Sequence, residues 1–391
     1  MLPLEGITVV SLEHAIAAPF ATRQLADLGA RVIKVERPVV GDFARNYDQR
    51  VNGLASHFVW VNRSKESLTL DLKQPEGANI LHKLLMEADV LVQNLAPGAA
   101  ARMSLSYADL AAINPKLIVC NISGYGDGWP YQDRKAYDLL IQAEAGFIST
   151  TGTTENPSKA GISIADIAAG MYAYTNILAA LIQRGKTGQG CNIDVSMLEA
   201  MTEWMGFPLY YAYDGKTPPD RAGASHATIF PYGPFVAGDG YTVLFGLQNE
   251  REWQAFCKLV LQDPDLVTDP RFTTNSLRVK NKKSLTDCII SGFSHWSAQQ
   301  VIELLENAGI ANSQMRDMAD VWTHPQLKYR ERWRQVNTSA GSVPALIPPG
   351  GIGPEPRMDP VPALGEHTSS ILAELDYTQE QISALQQKQA I

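Results

Sequence analysis

The sequence predicts an α/β fold: a doubly wound, Rossmann-like parallel sheet in a large domain, and a second, smaller α+β domain. Two observations carry this. The first third alternates short β-branched runs with helical stretches, and beyond Asp214-Gly-Lys-Thr-Pro-Pro219 the texture changes to turns, short strands and charged helices. With 391 residues, 45% hydrophobic and 19% charged, the chain can bury a sizeable core in two domains.

Ile7-Thr-Val-Val-Ser-Leu12 reads as the first strand, the stretch from Pro19 to Gly29 as a helix and Arg31-Val-Ile-Lys-Val35 as the second strand, which completes a βαβ unit. Further strands are expected at 67–72, 89–93 and 117–122, with a helix over 75–88 between the first two. The first turn, Glu13-His-Ala-Ile-Ala-Ala-Pro19, lacks the GxGxxG that seats a pyrophosphate in dinucleotide sites, which argues against an oxidoreductase.

Residues 160–199 organise the rest. Asp166 heads an apolar run in which Ile167, Met171, Tyr174, Ile177, Leu178 and Leu181 recur at helical spacing, so a helix over 164–184 places it in the first turn. There the helix dipole favours the ionised form that a carboxylate nucleophile needs; an N-cap role is the competing reading. Ala168, Ala169, Gly170 and Ala173 leave room for a ligand or another backbone. Gly185-Lys-Thr-Gly-Gln-Gly190 ends the helix as a turn, since a phosphate loop would precede a helix. A strand at 192–195 and a helix at 197–206 follow. A short strand at 241–245 belongs to the smaller domain, whose end is expected near Asp320. The Pro/Gly-rich tail at 343–362 is expected to run extended over the surface before a polar terminal helix at 378–389.

A formal charge of −8 argues against general affinity for nucleic acid or acidic membranes. The four cysteines are far apart, with no metal-ligand spacing and no disulfide pattern, so no metal site is expected and a reducing cytoplasm fits. No secretory leader and no run of about eighteen apolar residues is apparent, which argues against secretion and membrane spanning.

Seven stretches then carry a family resemblance: Leu4-Glu-Gly-Ile-Thr-Val-Val; Leu28-Gly-Ala-Arg-Val-Ile-Lys-Val-Glu-Arg37 with Gly41-Asp42; Asn62 to Lys73; Ala88 to Gly98; Ala136-Tyr-Asp138; Ala165-Asp166; and Leu364-Gly-Glu-His-Thr368. In their order and spacing the chain resembles the class III coenzyme A transferases, the group of formyl-CoA and carnitine-CoA transferases. The resemblance implies that Asp166 is the catalytic nucleophile, attacking a donor thioester to give a mixed anhydride and then an aspartyl-CoA thioester. It implies CoA thioesters as substrates, a small carboxylic acid as acceptor and no permanently bound cofactor. It also implies an interlaced homodimer, with a large CoA-binding domain over 1–205 and 325–391 and a small domain over 206–324. The tetraglycine loop of formyl-CoA transferase is absent from this chain.

For CoA, the resemblance carries over His14, Arg37, Lys73, Asn94, Arg102, Met103, Lys135 and Tyr137, the cations suiting phosphates and Met103 suiting adenine. Each Lys or Arg taken singly also reads as a solvated surface charge. Asp138 either orients the catalytic group or pairs with Lys135. Two other functions share these motifs. An acyl-CoA racemase needs a proton donor and acceptor, usually a histidine where Tyr137 stands, and a phenol with a pKa of roughly 10 substitutes poorly. A non-catalytic CoA-binding subunit has no need of Asp166.

Residues 221–235 and 246–253 resemble the branch acting on C4 and C5 dicarboxylates such as itaconate and mesaconate, with succinyl-CoA as donor. A second carboxylate is costly to bury unless a cation or several donors meet it, which makes Arg221, His226 and Arg45 candidates. The competing reading has Arg221 capping a turn and His226 packed internally.

Overall fold

The computed structural model describes residues 1–351 and 353–391. Two compact units result: Met1–Gly146, Ala160–Gly206 and Leu327–Ile391 form the first, Phe147–Lys159 and Phe207–Gln326 the second.

The first unit is built on β1 (Thr8–Leu12), α1 (Ala17–Asp27), β2 (Arg31–Glu36), β3 (Lys65–Thr69), α2 (Pro75–Glu87), β4 (Val90–Gln93), β5 (Ile118–Ser123), α3 (Asp138–Glu144), α4 (Ile164–Thr187), β6 (Asn192–Ser196) and α5 (Met197–Trp204). The six strands are all parallel, in the order β3-β2-β1-β4-β5-β6. Helices cover both faces of such a sheet, so its central strands bury side chains on both sides. Val9, Val10, Val90, Leu91 and Val92 are accordingly buried. The strand order reverses at β1, and this places a topological switch point between the carboxyl ends of β1 and β4.

Helix α4 packs closely on α1 because position 170 is glycine: a Cβ there would lie 2.6 Å from the Ala17 carbonyl oxygen. The small residues in this helix thus admit another backbone. Gly188 stops the helix in the left-handed region at φ +73°, as expected for the glycine-rich turn. By length and composition α4 is long enough and apolar enough to cross a membrane, where the sequence reading expected no such stretch. Here it lies in the fold, with Ala165, Ala168, Ala169, Ala173 and Ile177 buried.

In the second unit, β7 (Tyr232–Val236), β8 (Thr242–Gly246) and β9 (Asn312–Gln314) form an antiparallel sheet. With α6 (Lys282–Phe293) and α7 (Ala298–Asn307) it encloses Phe235, Phe245, Trp253, Phe256, Phe272 and Phe293. The tail contains the hairpin β10 (Trp333–Thr338) and β11 (Gly341–Leu346), so part of the stretch expected to be extended is strand. From Leu327 onward, this hairpin included, the chain belongs to the first unit. Thr69 N–H donates to Thr368 Oγ1 at 3.0 Å, and Ser67 N–H donates to His367 Nδ1 at 3.2 Å. Helices α8 (Thr368–Glu374) and α9 (Gln379–Gln387) follow, and Ile371, Leu372, Ile382 and Leu385 pack into the core with Leu70 and Leu81. The terminal helix is therefore amphipathic rather than polar all round.

Candidate active site

Asp166 is the third residue of α4, and it does not cap the helix. That task falls to Asp138 at the start of α3. Asp138 Oδ1 accepts the N–H groups of Ala165 at 2.8 Å and Asp166 at 3.3 Å. Its Oδ2 accepts Gln142 Nε2 at 2.7 Å, and Gln142 Oε1 accepts the Ala160 N–H at 2.9 Å. Of the two roles open to Asp138, the geometry gives the orienting one, and no ion pair with Lys135 is present among the described residues.

Burial pushes the Asp166 carboxyl up to about 7, and the neighbouring Asp138 charge adds to the effect. This corrects the expectation that the helix dipole keeps Asp166 ionised. The N–H groups that would stabilise its anion already serve Asp138, which brings a like charge to the same helix end. Tyr47 lies within the electrostatic reach of Asp166; burial foremost, then Asp42, Asp166 and Tyr137, push its phenol up to about 12.

An aromatic series leads from the first βα turn to this point. His14 stacks on Phe43 at 5.1 Å, Phe43 leans on Tyr47 at 5.8 Å, and Tyr47 meets His57 edge-on at 5.3 Å. Sequence reasoning stopped at Gly41-Asp42 and missed Phe43 and Tyr47.

His14 itself rides on a turn held from both sides. Its N–H donates to Asn94 Oδ1 and Asn94 Nδ2 donates back to its carbonyl, both at 2.9 Å, across the switch point between β1 and β4. From below, Asp42 Oδ1 accepts the Ala15 N–H at 3.2 Å, and Ala15 takes a positive φ of 61°. Asp42 belongs to a fully buried charge network in which Lys34 donates to Asp42 at 2.8 Å and Lys65 to Glu13 at 2.6 Å. Burial lowers the Lys65 amine to about 7 despite its carboxylate partner. Burial also opposes ionisation of Glu13, but Lys65 and Lys34 outweigh it and hold that carboxyl below its ordinary range.

The residues assigned to CoA follow strand ends on one edge of the sheet: His14 after β1, Arg37 after β2, Lys73 beyond β3 and Asn94 after β4. Ligands of open α/β sheets bind in this crevice. Arg37, Lys73, Arg102, Lys135 and Tyr137 are exposed. Asn94 spends its amide on the His14 backbone, and Met103 packs against the core beneath, so both support the rim from inside the protein.

The three residues assigned to a distal carboxylate each have partners within the protein. Arg45 is bidentate on Glu36 at 2.7 and 2.8 Å, donates to the Pro362 carbonyl, and lies 3.8 Å from the centre of the Phe58 ring. In the second unit, Arg221 donates to the carbonyls of Thr153 and Thr154, both at 2.7 Å. His226 Nδ1 accepts the N–H groups of Thr228 and Ile229 at 3.1 Å, and its ring stacks on Tyr232. Arg221 thus ties a turn and His226 is half-buried, contacts of the kind the competing sequence reading gave them.

A family profile described as CoA-transferase family III matches residues 4–368. The chain belongs to this family. It is a class III CoA-transferase by descent. Succinyl-CoA:glutarate CoA-transferase of Mus musculus is 35% identical over 96% of this chain and 87% of its own length. Succinyl-CoA:mesaconate CoA-transferase of Haloarcula hispanica is 32% identical over 95% of this chain and 96% of its own. A crystal structure of a CAIB/BAIF family protein from Brucella suis superimposes with a TM-score of 0.85 at 34% identity, covering 96% of this chain and 100% of that one. Among the described residues of this CoA-transferase, no group of three or more His, Cys, Asp or Glu side chains could hold a metal ion.

Proposed function

We propose that this CoA-transferase moves CoA from succinyl-CoA to a C4 or C5 dicarboxylate, with Asp166 as the covalent nucleophile. The observation that carries the nucleophile is the placing of Asp166 on a fixed helix start, its carboxyl half-buried and without a cation partner among the described residues. A structural carboxylate withdrawn from water in this way is usually paired.

The Asp166 carboxylate attacks the donor carbonyl, the C–S bond breaks, and CoA thiolate leaves with the electron pair, giving a mixed anhydride. The thiolate attacks the aspartyl carbonyl, releases succinate and leaves an aspartyl-CoA thioester. The acceptor carboxylate then attacks this thioester, and the same two steps in reverse regenerate Asp166. Oxidation states do not change and no net proton is consumed, so the sequence calls for no permanently bound cofactor. Arg37, Lys73, Arg102 and Lys135 supply exposed cations for the CoA phosphates. His14 and Tyr137 line the approach, with Asn94 and Met103 supporting it.

The acceptor class draws support from the names of the relatives, which act on glutarate and mesaconate. Itaconate belongs to the same C5 class. An acceptor panel with succinyl-CoA as donor, read by mass spectrometry of the acyl-CoA products, tests this. Glutarate, itaconate or mesaconate should lead; dominant oxalate or carnitine turnover would reject the dicarboxylate reading. The Asp166→Ala enzyme should bind CoA yet exchange nothing.

We further propose a homodimer in the cytoplasm. Trp129, Phe207, Tyr210 and Tyr213 are exposed aromatic residues that a second copy would cover, and the four cysteines are free. Sedimentation at micromolar concentration tests the dimer, and a monomer would reject it.

A further inference from the structure

Asp138 accepts two hydrogen bonds from the start of α4. It holds two consecutive N–H groups with one oxygen and the buried Gln142 with the other, while Gln142 reaches on to Ala160. The carboxylate, the amide and the two backbone stretches form one clamp around the residues that precede and carry Asp166. Gln142 is fully buried, and Asp138 and Ala160 are partly so.

A neutral acceptor would cap the helix equally well, since Asn and Ser match Asp at such positions. A carboxylate at this place does something they cannot. It brings a negative charge to the helix end that also carries the nucleophile. Other charged groups packed on α4 lie further along it. From α1, Arg23 and Asp27 act on Tyr174, and Gln24 meets Met171. From α5, Glu199 and Glu203 line a cavity of about 340 Å³ with Tyr172 and Asn176. Tyr47 faces Asp166 from the loop after β2, and Tyr137 adjoins it.

We propose that Asp138 is the positioning residue of this site, anchoring the start of α4 and setting, through its own charge, the pH at which Asp166 becomes a nucleophilic carboxylate. This rests on Asp166 being the nucleophile. At neutral pH the free enzyme then divides between a neutral carboxyl, which cannot attack, and the carboxylate that attacks the thioester. Removing the Asp138 charge shifts that division toward the carboxylate.

The test is the pH profile of kcat/KM for succinyl-CoA, whose acid limb reports the free enzyme. In Asp138→Asn and in Asp138→Ser the limb should move down by about one pH unit, as expected on removing a like charge beside a carboxyl. In Gln142→Ala, which loosens the clamp without changing its charge, kcat should fall while the limb stays in place. Trapping with hydroxylamine after donor addition, followed by peptide mass spectrometry, should label Asp166 in every variant. Asp166 labelled but an unmoved limb in both Asp138 variants would overturn the role of Asp138 and leave the nucleophile standing. Label on another residue would overturn the nucleophile, and this inference with it.

Discussion

His14 and Asn94 exchange two hydrogen bonds, N–H to Oδ1 and Nδ2 to carbonyl, each 2.9 Å long, and thereby join the loops after β1 and β4. The pair bridges the point where the sheet reverses direction, which is where open α/β folds bind ligands. Asn94 resembles a CoA ligand in sequence, yet its side chain faces the backbone of another rim residue.

The two halves of this exchange can be separated by mutation. Asn94→Asp keeps the acceptor and loses the donor, whereas Asn94→Ala loses both. Each lost bond in a half-buried site costs about 0.5–1.5 kcal/mol. Urea unfolding should therefore rank wild type, Asp and Ala in falling order, and the KM for succinyl-CoA should rise in parallel while kcat changes less. A fall in kcat with KM unchanged would instead put Asn94 in contact with the reacting atoms.

Asp166 gives a pH signature in stability. Its carboxyl titrates near 7 in the folded protein against an ordinary 3.8, so between these values the folded state binds more protons than the unfolded one. Stability thus falls as pH rises through this window and levels off above it. Asp166→Asn removes the effect. At pH 8 the variant should be more stable than wild type by on the order of 2–4 kcal/mol, and at pH 4 the two should coincide. Equal stability at both pH values would mean that Asp166 is solvated like an ordinary surface carboxylate.

The strands and helices of the first unit were legible because their signals are local: an apolar run in 89–93, helical spacing after Asp166, and a glycine-rich stop at 185–190, although the helix runs on to Thr187 before Gly188 ends it. The side-chain partnerships were not. Asp138 lies 27 residues from Ala165 and Arg45 lies 317 from Pro362, and nothing in a periodicity reports such distances. The charge of Asp166 was misread for the same reason. A helix start predicts free N–H groups, and only the folded chain shows another carboxylate already holding them. Arg45, Arg221 and His226 were chosen for their chemistry alone, which many structural partners also satisfy.

The buried network under His14 should be sensitive to losing one charge. Lys65→Met leaves Glu13 with Thr22 at 2.7 Å and a distant Lys34 at 3.4 Å. Removing one partner of a buried pair costs about 3–5 kcal/mol. Adding Glu13→Gln to Lys65→Met should restore a large part of that loss, because the uncompensated carboxylate is gone. A double variant as unstable as the sum of its singles would show that the two residues contribute through packing, independently of their charges.

Arg221 provides the sharpest check on where acceptor specificity lies. Its Nε and Nη2 hold the carbonyls of Thr153 and Thr154, and the Gly223 N–H adds a bond to the Gly152 carbonyl at 2.7 Å. The guanidinium therefore ties residues 152–154 to 221–223 inside the second unit. Arg221→Ala should cost about 1.5–3 kcal/mol of stability, the usual range for hydrogen bonds from a charged donor. It should lower kcat/KM by a similar factor for dicarboxylates and for monocarboxylates, because the loop moves for both. Arg221→Lys should recover little, since one ammonium cannot reproduce a fork that meets two carbonyls. Steady-state kinetics with glutarate and butyrate as paired acceptors distinguishes the possibilities: a loss confined to glutarate would mean that Arg221 leaves these carbonyls to meet the second carboxylate.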